Sequence, residues 1–504
     1  MADLLYWQWK LLRKICIQQP ELIVKYIDQF NKLLKNQFAV FASLRYVTYT
    51  LQFARGFLYA KILGPHLFGL LGIIMLYHQY LSFTSLGIQY SLNAELALNL
   101  QSSEREKNQI ISTSFFIVAG IIVLLALLSF AAWIIDENFF FPPSDFTFAY
   151  AVLILAIITF QHFQQLFNNV FRVTQQLLVI SLTELMVASL TILVVLFFSG
   201  EELILAYLAV WAGSLFLVNL IFFRKKQFQF THFISWKRLK HMTMSGLSLL
   251  TYNFSFHFMT LSSRTIIGIY YPLEIMAYYS LSHSITTVIL LGMDAMGWIF
   301  FPQVISKVKD GTDSQTVMNV MNKVSNLYST AGFLVVFLTI LLSPVLFLFL
   351  PEYSPVEKAL TVLLLTQGIF VISYAHVTLA ISRRKQNSIA LISILASGLS
   401  TLIGWLLAVN GFDFHWVAIS TFAASLVFNF FMIRLSFKSI LKADHLKFSD
   451  FMPFSLMVPT AVVFTAIFLP YSYVFYACGF LLFIALNKTH LVDLFRFVLR
   501  KMSE

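Results

Sequence analysis

Along this chain apolar positions run unbroken for about twenty residues at a time, and polar positions gather in the short stretches between them. Such windows cover residues 38–63, 67–90, 110–135, 146–173, 177–198 and 203–223, then 242–270, 275–301, 326–350, 356–382, 388–409 and 415–435, and last 451–469 and 471–487. At a rise of 1.5 Å per residue each is long enough to cross about 30 Å of hydrocarbon. Lipid offers backbone amides no partners, so runs of this kind predict helices that satisfy themselves rather than strands. The expected fold class is an all-α polytopic membrane protein of about fourteen transmembrane helices. Two six-helix lobes in parallel repeat and two extra C-terminal helices make up that number.

Composition supports the pattern. Of 504 residues 59% are hydrophobic and 11% charged, against roughly 25% charged in soluble domains. A net charge of +11 would suggest nucleic acid in a soluble protein, but here the placement of the charges matters more than their sum. Residues 1–37, 91–109, 172–176, 224–241, 302–325, 383–387, 434–450 and 488–504 hold 29 of the 34 Lys and Arg residues. The alternate connections are acidic, with Asp136, Glu137, Asp145, Glu201, Glu202, Glu352, Glu357 and Asp413, and hold one lysine, Lys358. Basic connections stay in the cytoplasm. This predicts a multi-pass membrane protein with both termini cytoplasmic, and no nucleic-acid partner.

The expected plan is a cytoplasmic amphipathic extension (1–37), a first lobe (38–223), a basic linker (224–241), a second lobe (242–437), an added helix pair (451–487) and a cytoplasmic tail (488–504). In the extension, Leu4, Leu5, Leu11, Leu12 and Ile15 recur near helical spacing beside Trp7, Trp9 and basic residues, as in helices that lie on an anionic leaflet. Two cysteines, Cys16 and Cys478, are too few for a disulfide framework or a metal cluster and read as packing residues. No GxxxxGK[ST], HExxH, CxxC pair or GxSxG is found. The acidic-side connections are short, so no external catalytic domain is expected. The reading is a transporter rather than an enzyme, with no cofactor.

Four basic residues fall within helices or at their edges: Arg45, Arg55, Lys61 and Arg264. The last two helical arginines are a pair. The stretch ARGFLYAKILGPHLFGLLG around Arg55 has a degraded copy, SSRTIIGIYYPLEIMAYYS, in which Arg264 aligns with Arg55 and Pro272 with Pro65. A charge at bilayer centre costs about 2.5–3.5 kcal/mol on insertion scales, and neither arginine has an acid three or four residues away. Both are therefore candidates for an anionic group held in a hydrated cavity between the lobes. Snorkelling to headgroups is the plainer alternative, and the stronger one for Lys61. Arginine suits phosphate because its planar fork donates two parallel hydrogen bonds. Arg45 is a candidate lower rung of the same cationic path. Glu184 and Asp294 are candidates for ion coupling, with a structural ion pair to Arg45 or Arg172 as the alternative for Glu184. His162, flanked by Gln161, Gln164, Gln165, Asn168 and Asn169, marks a polar stripe that faces a cavity or another helix. His78, His257, His283 and His376 read as core histidines.

The polar first helix, the LGP turn, the FGLLG entry and SLGIQYSL, with SSRTIIGIYYPLEIMAYYSLSHSI and FFPQVISKV in the second copy, resemble polysaccharide-biosynthesis flippases of the O-antigen type. These belong to the multidrug/oligosaccharidyl-lipid/polysaccharide exporter superfamily. The resemblance spans about residues 38–437. It implies a two-lobed, V-shaped transporter that moves an oligosaccharide on an undecaprenyl-type lipid diphosphate from the cytoplasmic to the outer leaflet by alternating access. Its partners would be that lipid-linked glycan, the membrane, a glycan polymerase and other surface-polysaccharide assembly proteins. Arg55 and Arg264 would meet the diphosphate or an acidic sugar. One departure is Ser263, where the second-lobe signature usually carries an acid. The alternatives are a cation-coupled multidrug exporter of the same fold, a glycan polymerase or ligase, and a twelve-helix facilitator. The short outer loops count against the second, and residues 94–107 lack the loop motif of the third.

Overall fold

A computed structural model describes residues 37–99, 102–135, 148–226, 228–231, 235–287, 293, 314–383, 385–440 and 451–503. The proposed N-terminal amphipathic helix, Cys16 and Asp294 lie outside the described residues. Everything regular among the described residues is helical. In chain order the helices are α1 (Gln37–Ser82), α2 (Ile88–Leu98), α3 (Glu104–Ile135), α4 (Phe148–Val173), α5 (Leu177–Leu193), α6 (Gly200–Lys225) and α7 (Trp236–Tyr270). Then come α8 (273–287), α9 (Ser314–Phe349), α10 (Glu357–Ser382), α11 (Gln386–Val409), α12 (Phe414–Leu435), α13 (Phe454–Ala466), α14 (Ser472–Leu486) and α15 (Lys488–Ser503).

Nine helices among the described residues are long and apolar enough to cross a membrane, or ten if the bent pair α14–α15 is one span. The first two predicted windows are one helical run, α1, broken at Gly64, whose φ of 68° belongs to the left-handed region that glycine enters without strain. The following Pro65 removes a donor where the helix has already parted. The second window does not end at 90. It is interrupted at Leu86 and Gly87, both at positive φ, and resumes as α2. Residues 488–503, read as a tail, form a helix bent 71° from α14.

In the first lobe α1 packs on α5, and α4 on α6 and α2. In the second α7 packs on α11, while α10 packs on α9 and α12. The added pair α13–α14 leans on α9 and α10. Residues facing lipid are as apolar as those facing protein, so the cores are held by close fit and by polar side chains that satisfy themselves within their own helix. Thr113, Ser181, Thr366 and Thr460 each donate to the carbonyl four residues back.

The lobes meet along the second arm of α1. At the end carrying the acidic connections, a Cβ on Gly69 would lie 1.9 Å from the Leu273 carbonyl oxygen, so only glycine allows that approach. There too His66 Nδ1 lies 3.0 Å from Glu274 Oε1, and the Tyr353 hydroxyl donates to the Ala60 carbonyl at 2.9 Å. At the basic end Gly87 backs onto Gly246, and Phe83 meets Phe254 edge-on at 5.1 Å.

Candidate functional site

Between these two closures lies a cavity of about 230 Å³ at the lobe interface. Its polar walls are Gln52 and Arg55 on the first arm of α1, His78 and Gln79 on the second, Arg264 on α7 and His283 on α8. Among the described residues, no carboxylate lines it. The two arginines matched by the internal repeat are thus brought to one cavity, one from each lobe.

They are held differently. Arg55 is half-buried. Its Nη1 donates to Thr191 Oγ1 on α5 at 2.9 Å, and its guanidinium carbon stands 5.2 Å from the centre of the Tyr207 ring on α6. Tyr207 packs edge-on against Tyr59, whose hydroxyl donates to the Thr191 carbonyl at 3.0 Å. All these partners belong to the first lobe, and an aromatic face beneath a guanidinium keeps it positioned without neutralising it. Arg264 is 3% exposed. Nη1 donates to Gln79 Oε1 at 2.8 Å, and Nη2 to the Gly72 carbonyl at 3.2 Å and Ser280 Oγ at 3.4 Å. Two of these three acceptors lie in the opposite lobe. The carbonyl of Gly72 is reachable because α1 and α8 close to within a side chain here: a Cβ on Gly72 would meet Ser280 Oγ at 2.4 Å. Ser263, where an acid was expected, is fully buried and accepts from the Tyr279 hydroxyl at 2.7 Å.

The other candidates are placed as follows. Lys61 is exposed near the acidic end and does not line the cavity. Arg45 Nη2 pairs with Glu184 Oε1 at 3.1 Å, and its Nη1 donates to the Tyr49 hydroxyl at 2.9 Å. The ion-pair alternative for Glu184 is therefore the arrangement seen. Gln161 and His162 reach α1 and its extension: Gln161 Oε1 shares a 2.6 Å hydrogen bond with His78 Nε2, and His162 Nε2 lies 3.1 Å from Thr84 Oγ1. His78 also tilts over Trp211 at 4.7 Å. Gln165 lines a second cavity nearer the basic end. Gln79, Tyr207, Thr191 and Ser280 were not foreseen. Gln79 was open to notice as one of two amides in an apolar window, but nothing separated Tyr207 from the other 20 tyrosines.

Two helical lobes thus meet around a cationic cavity at their seam. The fold is similar to that of the lipid II flippase MurJ in an inward closed conformation, with a TM-score of 0.66 at 13% identity over 91% of this chain and 99% of that one. It is also similar to an inward-facing multidrug resistance MATE family transporter of the MOP superfamily, with a TM-score of 0.62 at 14% identity over 80% and 100%. A MOP superfamily transporter from Pyrococcus furiosus gives 0.54 at 14% identity over 80% and 95%. No curated protein matches the sequence. Residues 33–309 match the family model described as polysaccharide biosynthesis protein. The chain belongs to that family.

Proposed function

We propose that this protein is a flippase for a lipid-linked oligosaccharide, carrying a surface-polysaccharide or O-antigen repeat unit on a polyprenyl diphosphate from the cytoplasmic to the outer leaflet of the bacterial inner membrane. The observation that carries this reading is a lobe-interface cavity with one arginine from each lobe and, among the described residues, no lining carboxylate. A diphosphate is the group such a cavity would favour, because two guanidiniums bind phosphate oxygens through strong charged hydrogen bonds. The lipid tail would stay in the bilayer while the head crosses between the lobes. Alternating access follows from rocking of the lobes about the α1–α8 and α2–α7 contacts, each state being favoured by differential affinity for the head group. A glycan polymerase and other assembly proteins would act on the product.

A cation-coupled multidrug exporter is the rival, supported by the fold likeness to MATE transporters. Cationic drugs would meet repulsion from Arg55 and Arg264, which counts against it. The deciding test is in cells that build a lipid-linked glycan. Replacing Arg55 with Gln is expected to leave the protein inserted while the lipid-linked glycan accumulates on the inner leaflet. Undiminished surface glycan together with lost drug resistance would favour the exporter.

A further inference from the structure

The exposed apolar stripes of α6 and α7 run out into cations at the basic end. On α6 Phe216, Leu220 and Phe223 are exposed along one face, and Arg224 and Lys225, also exposed, follow directly. On α7 Leu247 and Met244 are exposed on the face that continues to Lys240 and Trp236. Lys240 stands one turn, about 6 Å, from Met244. Each helix thus changes from apolar to basic within a single turn. None of these residues lines the interface cavity.

The segment between the two helices is fastened to the first lobe. The Gln229 amide donates to Asn108 Oδ1 at 3.3 Å and the Thr231 amide to Ser112 Oγ at 2.9 Å, both on α3. Arg238 Nη1 donates to Gln109 Oε1 on the same helix at 3.0 Å. Phe228 is buried against Phe115 and Phe167. Lys226 stands at the centre of this arrangement. Its Nζ lies 3.9 Å from the centre of the Phe223 ring, 4.3 Å from that of Phe230 and 5.6 Å from that of Phe228. The rings position the ammonium through their negative faces and supply no counter-charge.

The carboxylates of α2 and α3 at this end are engaged by other groups: Glu104 by Lys107, Glu106 by Arg238 and Glu95 by His241. Among the described residues Arg224, Lys225, Lys226, Lys237 and Lys240 form no ion pair. A ligand for this surface must carry an anion beside apolar chains. A free phosphate or an acidic peptide satisfies the cations and leaves Phe223, Trp236 and Met244 uncovered. A phospholipid has its phosphate at the head of its acyl chains, which is the order of cation and apolar residue along both helices. Lysine suits such a headgroup as a compact charge on a flexible stem, and tryptophan settles at headgroup depth. A zwitterionic headgroup brings its own cation, so an anionic one is favoured.

We infer that the segment joining the lobes and the adjoining ends of α6 and α7 form a docking surface for an anionic phospholipid of the leaflet at the basic end, with Lys225, Lys226 and Lys240 meeting its phosphate. The inference stands apart from the flippase reading, since the interface cavity and this surface share no residue.

The test uses the full chain in detergent micelles doped with equal amounts of phosphatidylglycerol and phosphatidylcholine, with lipid retention read by native mass spectrometry. Phosphatidylglycerol is expected to be retained at least about fivefold more than phosphatidylcholine, the preference that a single lysine at an anionic surface confers. Combining Lys225→Gln, Lys226→Gln and Lys240→Gln is expected to bring the two lipids near parity, while Lys226→Arg alone keeps the preference. Removing the same charge elsewhere at the basic end, through Lys323→Gln, Lys438→Gln and Lys488→Gln together, is expected to leave most of the preference in place. Equal retention of the two lipids by the unaltered chain would overturn the inference. So would equal losses in the two triple variants, which would mark a diffuse field rather than a docking surface. Displacement of phosphatidylglycerol by polyglutamate or inorganic phosphate at matched charge would also overturn it, in favour of an acidic protein or a free anion.

Discussion

Arg55 and Arg264 hold equivalent places in the two halves of the internal repeat, yet one is set on its own lobe and the other is threaded into the opposite one. Arg55 rests on Thr191 and the Tyr207 face, half-buried. Arg264 is almost wholly covered and spends its donors on Gln79 and the Gly72 carbonyl across the seam. The same residue type at the same repeat position therefore does two jobs: the first presents charge to the cavity, and the second also ties the lobes together. A substrate anion arriving at the cavity would compete with Gln79 and Gly72 for Arg264, which couples binding to the seam, whereas its contact with Arg55 breaks nothing between lobes.

The strongest way to break this comparison is to truncate both residues. Arg264→Ala is expected to destabilise the protein by about 1–3 kcal/mol for each buried acceptor left unpaired, and to lower the unfolding temperature of the solubilised chain clearly. Arg55→Ala should move that temperature little while abolishing transport. Equal losses of stability would erase the distinction. The seam itself is tested next. Gly69→Ala puts a Cβ into the Leu273 carbonyl, so the helices must part at a cost of about 1–3 kcal/mol. Cross-linking of cysteines placed on either side of the acidic end should fall, with Arg55 binding left intact.

The smallest effect is at the rim. The Glu274 carboxyl is held below its ordinary range, first by a hydrogen bond from its own backbone amide and then by the His66 side chain. A carboxyl with a depressed pKa contributes to stability above its unfolded value, near 4.5, and loses that contribution as pH falls through the folded value. With the carboxylate 46% exposed, the contribution is screened by salt. Glu274→Gln should therefore flatten the acid limb of the stability profile slightly, and less so at high ionic strength. An unchanged acid limb at low salt would show that the pair adds nothing.

Helix class and the pairing of the two arginines were legible in the chain because both are written locally, as unbroken apolar runs and as a repeated motif. The Gly64-Pro65 break could be read the same way. What eluded the sequence was non-local. Arg264 meets Gln79 across 185 residues, a partner periodicity could not find, and Glu184 meets Arg45 across 139, where the sequence left Arg45 and Arg172 as alternatives and periodicity could not choose between them. Lipid and protein interiors are equally apolar, so the windows did not tell that Gln79 lines the cavity, whereas snorkelling was already the stronger reading for Lys61, which is exposed. The interruption at Leu86–Gly87 lay inside a window read as one unbroken span, although its two positive φ angles turn the chain toward α2.

The central claim is that the interface cavity binds the diphosphate of a lipid carrier. The most direct measurement is the affinity of the reconstituted chain for a polyprenyl diphosphate bearing no sugar, compared between the unaltered protein and Arg55→Gln. Loss of charged hydrogen bonds worth about 1.5–3 kcal/mol predicts a weakening of roughly 10- to 150-fold. Equal affinity in the two proteins would contradict the account.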